Sequence, residues 1–276
     1  MRAIDTLGDL VSPLGGTINA ANVIMQLAHP GVGQGVVDST VDSGRADLHP
    51  IKRARTTGTY LAVAVFGNDT DRDFVRESVR RIHARVASSP GAEVRYSANS
   101  PALQLWVAVC LLKYFVDQHE FLYGPLTDEQ YARILRDGAT LATTLNVRPE
   151  SWPTTREEYE ELWKAGIADI SMNEQVREYL TELCNLAFLE VRLGRLGRGI
   201  HRVLGRSFEL ITRGALPPEF RDLMHYRWAP DDQRRFDRYL VAVRRLHRVT
   251  PWVWPLLWKA YLLDLRTRRC LRLRVF

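Results

Sequence analysis

Seven histidines occur in the chain, and one of them, His83, stands in a pattern suited to metal ligation. It lies in DRDFVRESVRRIHARVA (71–87), where Val75, Val79, Ile82 and Val86 recur at the spacing of one helix face. His83 follows Val79 by four residues and precedes Val86 by three, so it shares that apolar face, whereas Arg76, Arg80 and Arg81 fall mostly elsewhere. A neutral imidazole among aliphatic side chains is suited to ligate haem iron: the pocket excludes water, and a backbone carbonyl can orient the second ring nitrogen. The same pattern also fits a core histidine with one hydrogen bond.

Arg53 and Thr57 stand four apart in PIKRARTTGTYLAVAVFG and share a helix face that Tyr60 and Ala64 continue. The LAVAVF run is apolar all round and is expected to be deeply buried. An arginine one or two turns above such a segment places a charge at the mouth of a cavity, with a planar fork that suits carboxylates. Thr57 can bond an oxygen species or a water; the bland alternatives are a surface arginine and a threonine bonded back to its own helix. His29 ends an apolar helix and precedes Pro30, which forces extended or turn geometry on it. It either lines a pocket or caps its helix. Gly31, Gly33 and Gly35 follow, making a permissive backbone without the GxGxxG of a dinucleotide site.

Other chemistries lack their signatures. The chain has no HExxH, no GxSxG and no repeated ExxH pair. Cys110, Cys184 and Cys270 lie far apart with no CxxC or CxxCH, and Cys110 and Cys184 read as buried free thiols. Asp5 and Asp9 interrupt any signal-peptide core, and no apolar run spans a bilayer, so the cytoplasm is the expected location.

The elements that position these residues read as helices. Thr70 with Asp73 resembles a capping box before 71–87, Ser100-Pro101 opens 101–123, Thr127 with Gln130 opens 127–146, and Thr154 with Glu157 opens roughly 154–168. Strand and hairpin signals are poor. The fold class is therefore all-α, about ten helices in one domain over 1–276, with DSTVDSGRADLHP (38–50) a loop over the surface or over a site and 148–155 a second irregular joint. Charge divides unevenly. Residues 186–276 hold 20 Lys+Arg against 8 Asp+Glu, whereas residues 1–185 hold 18 against 24. In 191–206 Arg192, Arg195, Arg198 and Arg202 recur opposite Leu193, Leu196, Ile200 and Val203/Leu204, and PWVWPLLWKAYLLDL (251–265) is rich in tryptophan. This basic portion suits peripheral contact with an anionic membrane, or a helical cover on the core with a solvated basic face.

Taken in combination, QLAHP, RARTTGTYLAVAVFG, VRRIHARV, YSANSPALQLW, YGPLTDEQY and GALPPEFRDLMHYRWAPDDQRRFDR resemble the DUF2236 family of rubber-oxygenase and MpaB-type oxygenases, over roughly residues 12–250. The resemblance implies a globin-like helical core around a non-covalent haem b (heme, iron). It puts the family's axial histidine on His83 and its Arg-x-x-x-Thr motif on Arg53 and Thr57, with His29 the histidine of the AHP element and a further pocket candidate. Thr56 stands where rubber-cleaving members carry lysine, so polyisoprene cleavage is not expected. Ala108 replaces a histidine many members carry, which suggests an enlarged or drier pocket.

The expected function is thus a haem b-dependent oxygenase or oxidoreductase using dioxygen on a small hydrophobic or lipid-like substrate. Arg53 would steady negative charge on oxygen or hold a propionate, and Thr57 would position a water or proton donor. A haem sensor or carrier without turnover is the rival. A basic helical nucleic-acid-binding protein is the remote one, since no helix-turn-helix is evident.

Overall fold

The computed structural model describes residues 4–41, 43–273 and 275–276. Its regular elements are thirteen α-helices and two short 3-10 turns, and among the described residues the sole β pairing is an isolated bridge between Ala87 and Ser97. At the centre runs α5 (Pro101–Tyr123), apolar over most of its middle turns and largely buried there, with Val109, Cys110, Leu112 and Phe115 at 1% exposure or less. Around it pack α1 (Gly15–Leu27), α6 (Asp128–Thr143), α7 (Arg156–Ala168) and α12 (Pro230–Val249). A single buried cluster extends from Ile4 to Leu265.

The site-bearing helices form one flank. α2 (Pro30–Val37) leans on α1 and on α8 (Glu174–Cys184), while α3 (Pro50–Phe66) packs on α4 (Asp69–His83), α6 and α13 (Val253–Cys270). Thr56 and the run Gly58–Ala64 of α3 are buried, as an all-apolar half-helix requires. α13 is hooked onto α4 by ion pairs from Arg266 (2.8 Å) and Arg269 (3.1 Å) to Asp71, which is 2% exposed. Cys110 and Cys184 are buried free thiols, as expected, and Cys270 is exposed.

Several sequence-based boundaries move. α4 is capped by Asn68 with Asp71, not by Thr70 with Asp73, and ends at His83 instead of 87. Ala98 N–H donates to the Val86 carbonyl and Ser88 N–H to that of Tyr96, both at 2.9 Å, and this pairing peels the chain off the helix. The α7 cap shifts by one, to Thr155 with Glu158. The glycines after Pro30 lie within α2, so that stretch is helical rather than irregular. The expected helix over 191–206 is two, α9 (Phe188–Leu193) and α10 (Arg195–Ala215), broken at Gly194, whose φ of 54° few other residues adopt. Of the three tryptophans in 251–265 only Trp252 is well exposed, at 65%, together with Leu256, Leu257 and Leu263. Trp254 and Trp258 pack against the core, and Tyr261 lies on Gly58 of α3. α11 (Pro218–Leu223) completes the set. No helix among the described residues is long and apolar enough to cross a membrane.

Candidate functional site

His83 occupies the last turn of α4, where the aliphatic row Val79–Ile82–Val86 faces α3 and α5 across a cleft. The space open to the centres of water-sized spheres there is about 220 Å³, so the molecular volume the cleft can hold is larger. Its walls are mostly apolar. Val32 and Val36 of α2 with Leu103, Val107 and Leu111 of α5 form one side. Val79, Ile82 and Val86 line it from α4 and the chain beyond, and Tyr60 from α3, with the Tyr60 hydroxyl spent on the Leu141 carbonyl at 2.5 Å. Phe276 contributes to the lining, next to Val275, whose carbonyl accepts from Arg55 Nη2 at 3.1 Å.

Three of the four residues singled out from sequence converge on this cleft: Arg53, Thr57 and His83. Burial and the positive charge of Arg53 hold the His83 pKa down, to about 4, so the ring is neutral at neutral pH. Its Nδ1 lies 3.3 Å from Gln104 Nε2, and a hydrogen bond to the Ala98 backbone works in the opposite direction on the pKa. The Gln104 amide is itself fixed. Its Nε2 donates to the Ala98 carbonyl at 2.8 Å, and its Oε1 accepts from Asn146 N–H at 2.7 Å. Nδ1 is the ring nitrogen that faces the Gln104 amide, which leaves Nε2 as the candidate ligand atom.

Arg53 donates through Nη1 to the Ser43 carbonyl at 3.1 Å, and among the described residues no carboxylate forms an ion pair with it. Burial lowers its pKa, the mark of a guanidinium deprived of water and not compensated by an anion. Thr57 makes no hydrogen bond with its hydroxyl among the described residues. Thr56 is the threonine that bonds back along its helix, to the Arg53 carbonyl at 3.0 Å. Among the described residues the Thr57 hydroxyl is thus free to meet a ligand and the Arg53 charge lacks an acidic partner.

His29 is placed differently. Its Nδ1 accepts from Gly31 N–H at 3.3 Å, capping α2, and the residue faces a separate, shallower depression that shares Gly31, Tyr96 and Leu103 with the main cleft. Ala108 does not line the cleft at all. It is fully buried in the core, so the small residue there neither enlarges nor dries the pocket. Segment 38–50 does lie over the site: Ser39, Val41, Ser43 and Gly44 line the cleft, with Asp42 outside the described residues. The segment is anchored by Ala46 N–H to the Tyr179 hydroxyl (3.1 Å) and by Arg192 Nε of α9 to the Asp47 carbonyl (2.8 Å). Gln104 was not among the expected site residues. Its signal was a lone amide inside PALQLWVAVCLL, where burial obliges both ends of the amide to find partners.

The donor set is narrow. Among the described residues no group of three or more His, Cys, Asp or Glu side chains is placed to hold a metal ion, so His83 stands as a single imidazole.

Comparison with known proteins agrees with the sequence resemblance. The family model described as "ER-bound oxygenase mpaB/B'/Rubber oxygenase, catalytic domain" matches residues 7–245. The chain is 46% identical over 251 residues to uncharacterized protein Mb2261 of Mycobacterium bovis, covering 90% of this chain and 95% of the relative. Uncharacterized protein Rv2237 of Mycobacterium tuberculosis matches with the same identity and coverage. No solved structure matches.

Proposed function

The chain belongs to the family of ER-bound oxygenase mpaB/B′ and rubber oxygenase catalytic domains, and from that premise we propose that it is a haem b-dependent oxygenase or oxidoreductase acting on a small hydrophobic substrate, with a globin-like set of helices holding the cofactor. One observation carries the reading: a neutral histidine, a half-buried arginine and a threonine hydroxyl, the last two with no carboxylate and no hydrogen bond respectively among the described residues, meet in one mostly apolar cleft.

The residues fit the group. A bound haem would need from the protein an imidazole for its iron, an apolar slot and a cation for its carboxylates. His83 would hold the iron through Nε2, with Nδ1 set against the Gln104 amide. Arg53 would offset a propionate or the negative charge that develops on oxygen, and with no carboxylate partner among the described residues it is available for either. Thr57 would hold a water or proton donor beside the reacting oxygen. Bound haem would supply one-electron and dioxygen chemistry that side chains cannot. The aliphatic walls from α2, α4 and α5 exclude water and select an apolar substrate.

The test is the absorption spectrum of protein expressed with haem supply, beside His83→Ala. A Soret band in the parent that is lost or shifted in the variant is the expected result; an unchanged band in His83→Ala removes the ligand assignment. Oxygen uptake with unsaturated apolar substrates then separates an oxygenase from a haem carrier or sensor, which would bind haem and consume nothing.

A further inference from the structure

The hairpin of α9 and α10 carries an unusual surface. α10 has three sides. Gly197, Gly205 and Thr212 face inward, and the fit is close: a Cβ on Gly197 would sit 1.9 Å from the Leu189 carbonyl oxygen of α9. Leu196 and Val203, seven residues apart and so on one line of the helix, are 67% and 73% exposed. Alongside them run the exposed Arg195, Arg198, Arg202 and Arg206. α9 adds Val191, 83% exposed.

The arginines of this row stand close together without acids between them. Several surface arginines on other helices pair with acids one turn away, as in Arg72–Asp69, Arg76–Asp73, Arg80–Glu77 and Arg156–Glu160. Among the described residues the side chains of Arg195, Arg198, Arg202 and Arg206 have no acidic partner. The acids of the hairpin are engaged otherwise, Glu190 near His201 and Glu209 with Arg213. A row of uncompensated cations beside a row of wet aliphatics calls for a partner that is anionic in one layer and apolar in the next.

We propose that the α9–α10 face docks on an anionic lipid surface, with Leu196, Val203 and Val191 entering the acyl boundary and the arginine row lying among the headgroup phosphates. Neither rival occupant matches both rows. A second copy of the chain related by a twofold axis sets arginine against arginine. A nucleic acid satisfies the arginines and leaves the aliphatic row in water. The placement also serves the cleft: α9 is tied through Arg192 to Asp47, in the segment whose other residues line the cavity, and Leu48 and Ile51 of the same neighbourhood are exposed, Ile51 by 85%. An apolar substrate dissolved in the bilayer would thus meet the protein beside its mouth. The docking itself does not depend on the haem reading; only this delivery role does.

Sedimentation with phosphatidylcholine vesicles, with and without about a third phosphatidylglycerol, tests it. Binding is expected on the anionic vesicles, little on neutral ones, and less at high salt. Replacing the four arginines by glutamine should weaken binding by about fivefold per residue. Leu196→Glu with Val203→Glu should abolish it while leaving the thermal melt unchanged, because both side chains are exposed. Equal binding to neutral vesicles, binding that survives either variant, or a concentration-dependent dimer dissolved by the Glu variant in protein that ignores vesicles would each overturn the proposal. The Soret band of the same variants reports separately on the haem reading, so the two ideas fail independently.

Discussion

Gln104 Nε2 sits 3.3 Å from His83 Nδ1 while donating to the Ala98 carbonyl at 2.8 Å, and this places the imidazole and its orienting carbonyl under the control of one buried amide. The other end of that amide accepts from Asn146 N–H just beyond α6. A single side chain of α5 therefore joins the end of α4, the returning strand-like segment at Ala98 and the end of α6.

Replacing Gln104 by Met removes that junction without changing the volume much. It leaves the Asn146 N–H and part of the Ala98 carbonyl's capacity unmet in a buried place, at about 1–3 kcal/mol per orphaned group. For a chain of this size that corresponds to a fall in melting temperature of several degrees, at about 2–4 °C per kcal/mol. Gln104→Glu should recover the bond to Asn146 only. Melts of the haem-free variants check this; an unchanged melting temperature in Gln104→Met refutes the junction.

The haem-free protein should lose stability on acidification because of His83. Its pKa in the folded chain is lowered to about 4, against 6.5 unfolded, by burial and by Arg53. A depressed histidine binds its proton more readily when unfolded, so the contribution is fully present above pH 6.5 and is lost as pH falls towards 4. The loss amounts to about 3 kcal/mol at most. Denaturant midpoints at pH 7 and pH 4.5 should converge in His83→Gln relative to the parent. A parent curve no steeper than the variant's in that window contradicts the assignment.

Much of this arrangement is readable from sequence, and the parts that are not have a common cause. Pro101 at N1 and the Thr127–Gln130 box mark the starts of α5 and α6 because both act within one turn. Arg53, Thr57 and His83 are legible because helix periodicity puts each on a definable face, and the family resemblance names the same three. The end of α4 is hidden because Val86 pairs with Ala98, twelve residues on, and nothing local reports that. The exclusion of His29 from the main cleft is hidden for the same reason. So is the inward turn of Trp254 and Trp258: a tryptophan run at a chain's basic end reads as interfacial until α3 is seen to lie beneath it.

Gly58 shows how tightly α13 holds the site-bearing helix. A Cβ at this position would stand 2.7 Å from the Tyr261 ring, one residue from Thr57. Gly58→Ala ordinarily stabilises a helix by about 0.4–1 kcal/mol through the unfolded chain. Here the ring must move, and overpacking costs about 1–3 kcal/mol, so a net loss is expected. Tyr261→Leu should relieve it, giving a favourable coupling in a double-mutant cycle of melting measurements. Additive effects of the two changes would mean that the helices do not bear on one another there.

The sharpest expectation concerns Arg53 and Thr57, because function and stability should part company. Arg53 is a half-buried charge with a carbonyl, and no carboxylate among the described residues, against it, so the haem-free fold bears part of its desolvation. Arg53→Met keeps the length and removes the charge, and should raise the stability of the haem-free chain by about 0.5–2 kcal/mol. It should also raise the His83 pKa, since the arginine's charge is one of the forces lowering it. Thr57→Val loses no internal hydrogen bond and should leave stability within about 0.5 kcal/mol. Both variants should impair the loaded protein, Arg53→Met by weakening haem retention and Thr57→Val by slowing oxygen uptake at unchanged haem content. Urea titration of the haem-free chains, with haem content measured beside it, decides the matter. If Arg53→Met is instead less stable without haem, the guanidinium is a structural strut for the Ser43 carbonyl, and its role as a waiting counter-charge falls.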